Sequence, residues 1–328
     1  MGTLVIGGGG FVGLNIVEHL LAQGRSVTLF DIARPPVSAL DALAALPGAL
    51  RVVTGDVCDS RAVAEAFRTK IDTMVYGAAV TAGLERDRDT PELTIGVNLD
   101  GFLVALRAAR DVGVRRVINL SSAGAYGAAA FAGQGSLHED NPAPDPQSIY
   151  SITKFASERV GARMSEVWGL DVINVRLSGV FGRWERRTSV RDTPSPQFQI
   201  VEALRAGRPA LVERLDNRDW IYAPDVARAV DAIMQATDLS YRLYNISTGQ
   251  TWSVLAWGQA MAVWFEGGVC RLAEPGEAAN IALHAPTDRR PLSVDRLRAD
   301  DLLVTCCDIN QSAEEYNSWL QGDGANYS

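Results

Sequence analysis

Lysine is almost missing from this chain of 328 residues: Lys70 and Lys154 stand against 29 arginines. Histidine is nearly as scarce, with only His19, His138 and His284, and no two lie at the spacing of a metal pair on a helix or turn. The four cysteines, Cys58, Cys270, Cys306 and Cys307, form no C-x-x-C spacing. Neither a zinc site nor a redox pair is expected, and the thiols read as reduced, as in a cytoplasmic protein. No apolar run approaches the roughly 18 residues of a membrane span, and no basic leader precedes Thr3-Leu4-Val5-Ile6. Positive charge is not in excess either. Lys+Arg 31 against Asp+Glu 39 leaves a net charge of −8, which repels phosphate backbones and anionic lipid, so neither nucleic acid nor membrane is an expected partner.

What is present is the balance of a soluble globular protein, 47% hydrophobic and 21% charged. The length suits roughly two domains, or one large α/β domain with an appendage. Apolar, β-rich runs recur at Leu4 to Ile6, Val27 to Phe30, Arg51 to Thr54, Thr73 to Tyr76, Arg116 to Leu120 and Val172 to Arg176, with helical-period stretches between them. That alternation predicts βαβ units and an α/β fold: a doubly wound parallel sheet of the Rossmann type with right-handed crossovers. After Arg176 the rhythm breaks, and another apolar strand appears only at Tyr244 to Ser247. The expected division is a dinucleotide-binding domain over 1–177, with 218–249 returning to it, and a smaller C-terminal substrate-binding region from 178–217 and 250–328. Residues 128–146, rich in glycine and proline, read as a surface loop over the strand ends.

The first strand runs into Gly7-x-x-Gly10-x-x-Gly13 and then an amphipathic stretch from about Leu14 to Gln23. This is the strand, glycine turn, helix order of a dinucleotide site. Gly7 permits the tight turn, Gly10 lets backbone approach a pyrophosphate, and Gly13 lets helix and strand pack closely, while the helix N-terminus offers free N–H groups. Asp31, at the end of the second strand, stands where a carboxylate takes the adenosine ribose hydroxyls, which favours NAD over NADP. Arg34 stands close enough in sequence to meet a 2′-phosphate, or else is a solvated loop arginine.

One of the two lysines follows a tyrosine by four residues, in Tyr150-Ser151-Ile152-Thr153-Lys154. Chance would do this in about one such sequence in twenty. On a helix the two side chains share a face. A tyrosine with a reference pKa of about 10 must exchange a proton near neutral pH, and a cation at about 4 Å supplies roughly 4 kcal/mol at an effective dielectric near 20, enough to bring the phenol near 7. Ser121-Ser122 follows the strand Arg116 to Leu120 at its C-terminal end, where open α/β sheets bind ligands, and Ser122 is the expected hydroxyl partner of the substrate oxygen.

With these residues the chain resembles an extended short-chain dehydrogenase/reductase of the NAD-dependent epimerase/dehydratase family over nearly its whole length. Ser121-Ser122-Ala123-Gly124-Ala125-Tyr126-Gly127 is similar to the family's serine motif, and Tyr150 and Lys154 to its catalytic pair. Asp56-Val57, Ala78-Ala79 and Asn98 are similar to its cofactor signatures, and Arg176 to Gly182, Arg218 to Tyr222 and Tyr244 to Gly249 to its later ones. The resemblance implies NAD contacts from Gly7, Gly10, Phe11, Val12, Gly13, Asp31, Asp56, Val57, Ala78, Ala79, Asn98, Tyr150 and Lys154. It implies substrate contacts from Thr81, Ser122, Tyr126 and Arg218, and no metal.

Two departures argue against a nucleotide-sugar substrate: Gly179 replaces an asparagine common in such enzymes, and Val212 to Asn217 replaces their Gly-Asp-Gly approach. Arg183, Arg186, Arg187 and Arg191 form either a carboxylate or phosphate site or a solvated loop. The leading expectation is an NAD-dependent oxidoreductase acting on a hydroxyl-bearing carbon of a sugar, sugar acid or related polar molecule. The alternative is a nucleotide-sugar 4-epimerase that retains NAD. A dehydratase is disfavoured because Ala123-Gly124 stands where its Asp-Glu pair belongs. A non-enzymatic dinucleotide sensor is a further class, and the intact Ser, Tyr and Lys set weighs against it.

The stretches around Pro91 to Asp111 and Gln147 to Trp168 carry more apolar residues than one sheet-facing stripe needs, for example Leu99, Phe102, Leu103, Leu106 and Ala109. The resemblance implies that these helices pair across a two-fold axis, as a four-helix bundle in a homodimer.

Overall fold

The computed structural model describes residues 2–324, so the last four residues of the expected C-terminal region, 325–328, lie outside it. The chain opens with β1 (Gly2–Ile6), α1 (Phe11–Ala22), β2 (Ser26–Asp31), α2 (Val37–Ala44), β3 (Ala49–Thr54), α3 (Ser60–Ala66) and β4 (Thr73–Tyr76). Then come α4 (Leu84–Asp89), α5 (Pro91–Ile95), a π-helical turn at Gly96–Asp100 and α6 (Gly101–Asp111). They are followed by β5 (Arg116–Ser122), α7 (Ile149–Trp168), β6 (Val172–Leu177), α8 (Pro196–Arg205) and α9 (Ala223–Gln235).

Seven parallel strands form the main sheet in the order β3-β2-β1-β4-β5-β6, ending on the strand Leu243–Ile246. Each predicted strand is present, shifted or lengthened by at most a few residues. The order reverses between β1 and β4, and at such a switch point the carboxyl ends of the strands leave a crevice. The glycine turn, the loop after β4 and Ser122 all sit at that edge.

The two-residue period of the strands divides the core in two. Val5, Val75, Ile118 and Val175 face the layer of α1 and α9, whereas Leu4, Ile6, Met74 and Val117 face α3, α6 and α7. The first core continues into the C-terminal region through Phe181, Trp184, Trp220, Trp257 and Trp319, with Trp184 and Trp319 edge to face at 5.1 Å. Among the described residues three two-stranded sheets lie beyond β6, among them Cys270–Leu272 beside Ala210–Val212.

Three features differ from the sequence expectation. α1 starts at Phe11 rather than Leu14, because Gly10 already has extended backbone and the helix begins directly after it. The stretch 128–146 is not a plain loop, since it holds a 3-10 turn at Ala128–Phe131 and pairs Leu137 with Leu292. Phe102, Leu106 and Ala109 are fully buried in the chain's own core, so of the five apolar residues named on that helix only Leu99 and Leu103 stay partly exposed.

Candidate active site

The glycine turn is built on steric necessity. Gly7 has φ +76°, and a Cβ there would sit 2.5 Å from the Ala78 nitrogen. A Cβ on Gly13 would lie 2.1 Å from the Gly7 carbonyl oxygen, so helix and turn close on each other only without a side chain. At Gly10 a Cβ would meet only the Gly7 carbonyl oxygen, at 3.3 Å, which leaves the outer side of the turn open to a ligand. No side chain caps α1, and its first turn holds no acidic residue. Its N–H groups and partial positive charge therefore face the crevice, as an anionic phosphate requires.

Asp31 Oδ2 accepts the Gly9 N–H at 2.9 Å, which fixes the carboxylate beside the turn. Burial pushes its pKa up, against backbone hydrogen bonds from Gly9, Ala33 and Ile32 and the nearby Arg186 charge. Arg34 is exposed. Asp56 is exposed and accepts the Cys58 N–H at 2.8 Å, while Val57 is packed beneath Gly101. Ala78 and Ala79 are half-buried in the loop after β4. Thr81 is held in that loop by its backbone, donating to the Val190 carbonyl at 2.8 Å.

Asn98 is buried between the loop after β4 and α7. It is 3% exposed, its Oδ1 accepts the Val80 N–H at 2.9 Å, and its Nδ2 donates to Thr153 Oγ1 at 2.9 Å. Its amide therefore ties the loop after β4 to α7 between Tyr150 and Lys154.

α7 begins under a Ser148 cap that accepts the Ser151 N–H at 3.2 Å, and Asp87 accepts the Ile149 N–H at 3.0 Å. Lower on the helix, Glu158 holds the sheet: Arg176 donates to it at 2.7 and 2.9 Å, and Ser121 at 2.5 Å. Tyr150 and Lys154 are thereby set against the end of β5. The Ser122 hydroxyl lies close enough to the Tyr150 phenol to lower its pKa, and it accepts the Gly124 N–H at 3.0 Å. Lys154 is 5% exposed; its Nζ donates to the Leu120 carbonyl at 2.7 Å and lies 5.8 Å from the centre of the Tyr150 ring.

The electrostatics of the free site differ from the sequence expectation of a phenol near neutrality. Burial raises the Tyr150 pKa above its usual value, opposed by Ser122 and by the charge of Arg191. Burial likewise pushes Lys154 down to about 8, partly offset by Glu158. The ammonium is committed to a backbone carbonyl of β5, and it does not by itself bring the phenol down.

The expected substrate residues separate. Tyr126 is fully buried, its hydroxyl donates to Asn245 Oδ1 at 3.0 Å and its ring lies under Arg176 at 4.4 Å. The residues beyond Ser122 turn inward through a 3-10 turn, which carries Tyr126 into the core. Arg218 is buried beside Asp216, to which its Nε donates at 3.1 Å, and its Nη2 has no protein partner. Arg289, which the sequence reading did not single out, converges on the same place. It donates to Ser178 Oγ at 2.6 Å and Asp219 Oδ1 at 2.5 Å, and leaves Nε and Nη1 without partners. Its only sequence signal is the Asp288-Arg289-Arg290 charge run. Unpaired buried guanidinium nitrogens are costly, and an anion relieves them.

The four arginines of 183–191 form no single patch. Arg183 donates to the Tyr222 hydroxyl at 3.1 Å, Arg186 to the Gly9 carbonyl at 3.2 Å, Arg187 to Glu202 at 2.7 Å, and Arg191 pairs with buried Glu185 at 3.0 Å. Among the described residues no cluster of three or more His, Cys, Asp or Glu could hold a metal ion.

A parallel sheet with an open glycine turn at its switch point, and a serine, tyrosine and lysine gathered at the next strand ends, defines a dinucleotide-dependent enzyme. The chain belongs to the NAD dependent epimerase/dehydratase family, whose sequence pattern matches residues 3–247. It is 35% identical over 192 residues to sterol demethylase protein B of Methylococcus capsulatus, covering 58% of this chain and 55% of that protein. The match therefore spans little more than half of that relative's length. It is 28% identical over 275 residues to the decarboxylating sterol-4-alpha-carboxylate 3-dehydrogenase of Candida albicans, covering 80% and 74% of the two chains. Among solved structures it is similar to the UDP-glucose 4-epimerase of Thermus thermophilus in complex with NAD, with TM-score 0.77, 25% identity and coverage of 98% and 99%. The cofactor is NAD, and the glycine turn, the uncapped helix end and Asp31 fit it.

Proposed function

We propose that the protein oxidises a secondary hydroxyl of a polar, anionic small molecule, a sugar, sugar acid or related hydroxy acid, with NAD as its partner. The observation that carries this reading is the Ser122, Tyr150 and Lys154 set at the strand ends, with unpartnered nitrogens of Arg218 and Arg289 in the same C-terminal half. Ser122 holds the substrate oxygen, and Tyr150 takes its proton as the carbon-bound hydrogen leaves. When bound, NAD would supply the hydride acceptor and a positively charged ring for this chemistry. Lys154, already oriented by Leu120, presents its remaining N–H bonds to the cofactor ribose. Arg218 and Arg289 take the substrate's carboxylate or phosphate.

The two sterol-named relatives and the epimerase-named structure suggest different alcohols, and buried guanidinium groups suit an anion on any of them. A 4-epimerase that keeps its NADH and returns the hydride to the other face is the second reading. It is supported by the 183–191 segment, which lies across the glycine turn through Arg186. Dehydration is not supported, because Ala123-Gly124 places no acidic side chain beside Ser122.

Among the described residues no helix is long and apolar enough to cross a membrane. We place the protein in the cytoplasm, which its four free thiols support. We further infer a homodimer through α5, α6 and α7, supported by the exposed Leu93, Ile95 and Ile152 on neighbouring helices.

The deciding experiment offers NAD and a panel of uronic acids, nucleotide sugars and 3-hydroxy carboxylates, and follows NADH absorbance and product stereochemistry. Released NADH with one substrate class supports the dehydrogenase. Stereochemical inversion with cofactor that never exchanges supports the epimerase, and no turnover with any of them removes the reading.

A further inference from the structure

Between Gly182 and the start of α8 the chain forms a strap along one face of α1. Phe11, Asn15 and Glu18 are spaced three and four apart and so share that face. Each is met in turn. Asn15 Nδ2 donates to the Arg183 carbonyl at 2.8 Å, and Trp184 Nε1 donates to Glu18 Oε2 at 2.9 Å. The Arg191 guanidinium lies 5.3 Å from the centre of the Phe11 ring. The far end of the strap is pinned to α4, where Arg86 holds Asp192 at 2.8 Å and the Ser189 carbonyl at 2.9 Å.

Arg186 is the strap residue that reaches the glycine turn. Its Nη1 donates to the Gly9 carbonyl at 3.2 Å, while the N–H of the same glycine is held by Asp31 at 2.9 Å. One glycine is thus bracketed by a cation on its carbonyl and an anion on its nitrogen, next to the uncapped N-terminus of α1. The planar fork of arginine matches phosphate oxygens in pairs, and this one stands at the turn where a diphosphate would lie. The neighbouring Arg187 serves as an internal contrast, since its guanidinium points away to Glu202 on the surface.

We propose that Arg186 is a cofactor-binding residue: delivered by the strap, its guanidinium pairs with the diphosphate of the dinucleotide, which is then held by both the helix end and a side chain from the C-terminal half. The inference rests on NAD being the cofactor. It explains why the strap follows α1 to the turn, and it makes cofactor release depend on detaching Arg186.

Isothermal titration of the full chain with NAD, ADP and adenosine tests it. Arg186→Ala is expected to weaken NAD and ADP by about tenfold or more, the size of a charge-assisted contact, and to leave adenosine within about twofold. Arg187→Ala should leave all three within about twofold. Unchanged NAD affinity in Arg186→Ala, or an equal loss for adenosine, overturns the proposal. Should Arg186→Ala fail to fold, Arg186→Lys keeps the charge and loses the fork, and NAD binding equal to wild type in that variant overturns it as well. Wild-type protein that binds no NAD would instead overturn the cofactor assignment, a separate outcome.

Discussion

Ser121 and Ser122 are adjacent on β5, yet their hydroxyls serve opposite sides of the sheet end: Ser121 donates to buried Glu158 at 2.5 Å, and Ser122 meets the Tyr150 phenol. The alternation of side chains along a strand separates them. Ser122→Ala should therefore lower turnover by about 10²-fold with the melting temperature nearly unchanged. Ser121→Ala should do the reverse, costing about 1–3 kcal/mol of stability because a buried carboxylate loses a donor, with turnover per folded molecule largely kept. Paired kinetics and thermal unfolding check this; a swap of the two phenotypes would reassign the hydroxyl.

The Tyr150 phenol is raised by burial in the cofactor-free protein, so it should stay protonated up to its usual titration range and beyond. NAD, which carries a positive ring, should lower it. Ultraviolet difference titration of wild type against Tyr150→Phe, with and without NAD, reads the shift directly. A phenol that titrates identically in both states would remove the proton route assigned to it. Tyr150→Phe itself should bind NAD normally and lose at least about 10²-fold in turnover.

Burial lowers Lys154 to about 8, against an ordinary lysine near 10.5 in the unfolded chain. Between these values the unfolded chain binds the extra proton, so this residue makes stability rise with pH across that window and fall as pH returns to 8. Relative to Lys154→Met, wild type should gain roughly 3 kcal/mol from pH 8 to 10.5 as an order of magnitude. Chemical denaturation of both proteins at the two pH values measures it. Parallel pH profiles would show that the ammonium is not desolvated.

Asp31→Ala removes the acceptor beside Gly9 and the charge opposing a 2′-phosphate, leaving Arg186 close to the same turn. NAD affinity should fall about tenfold or more while relative acceptance of NADP rises. Equal losses for both cofactors in calorimetry would refute the ribose assignment.

Leu103 is only partly buried on α6, whereas Leu106 is fully buried in the chain's own core. Leu103→Glu or Ile152→Glu should shift a dimer toward monomer in light scattering while the fold is kept. Leu106→Glu should instead unfold the chain, since it buries a charge without a partner. A wild-type monomer at micromolar concentration would end the dimer proposal.

The fold and the centre of the candidate site were legible in the sequence for a local reason. Strand and helix periods, the Gly7-x-x-Gly10-x-x-Gly13 turn and the Tyr150 to Lys154 spacing are each set by neighbours within a few residues, where backbone geometry and sterics act. Tertiary structure alone decided which side chains reach the crevice. Tyr126 lies four residues past Ser122 and is carried into the core by a 3-10 turn to meet Asn245, 119 residues away in the chain. The arginines of 183–191 look alike in sequence and part toward Tyr222, Gly9, Glu202 and Glu185. Arg289 reaches Asp219 across 70 residues. The destination of a long charged side chain depends on which distant carboxylates and carbonyls the folded backbone brings within about 3 Å of it, and no local pattern records that distance.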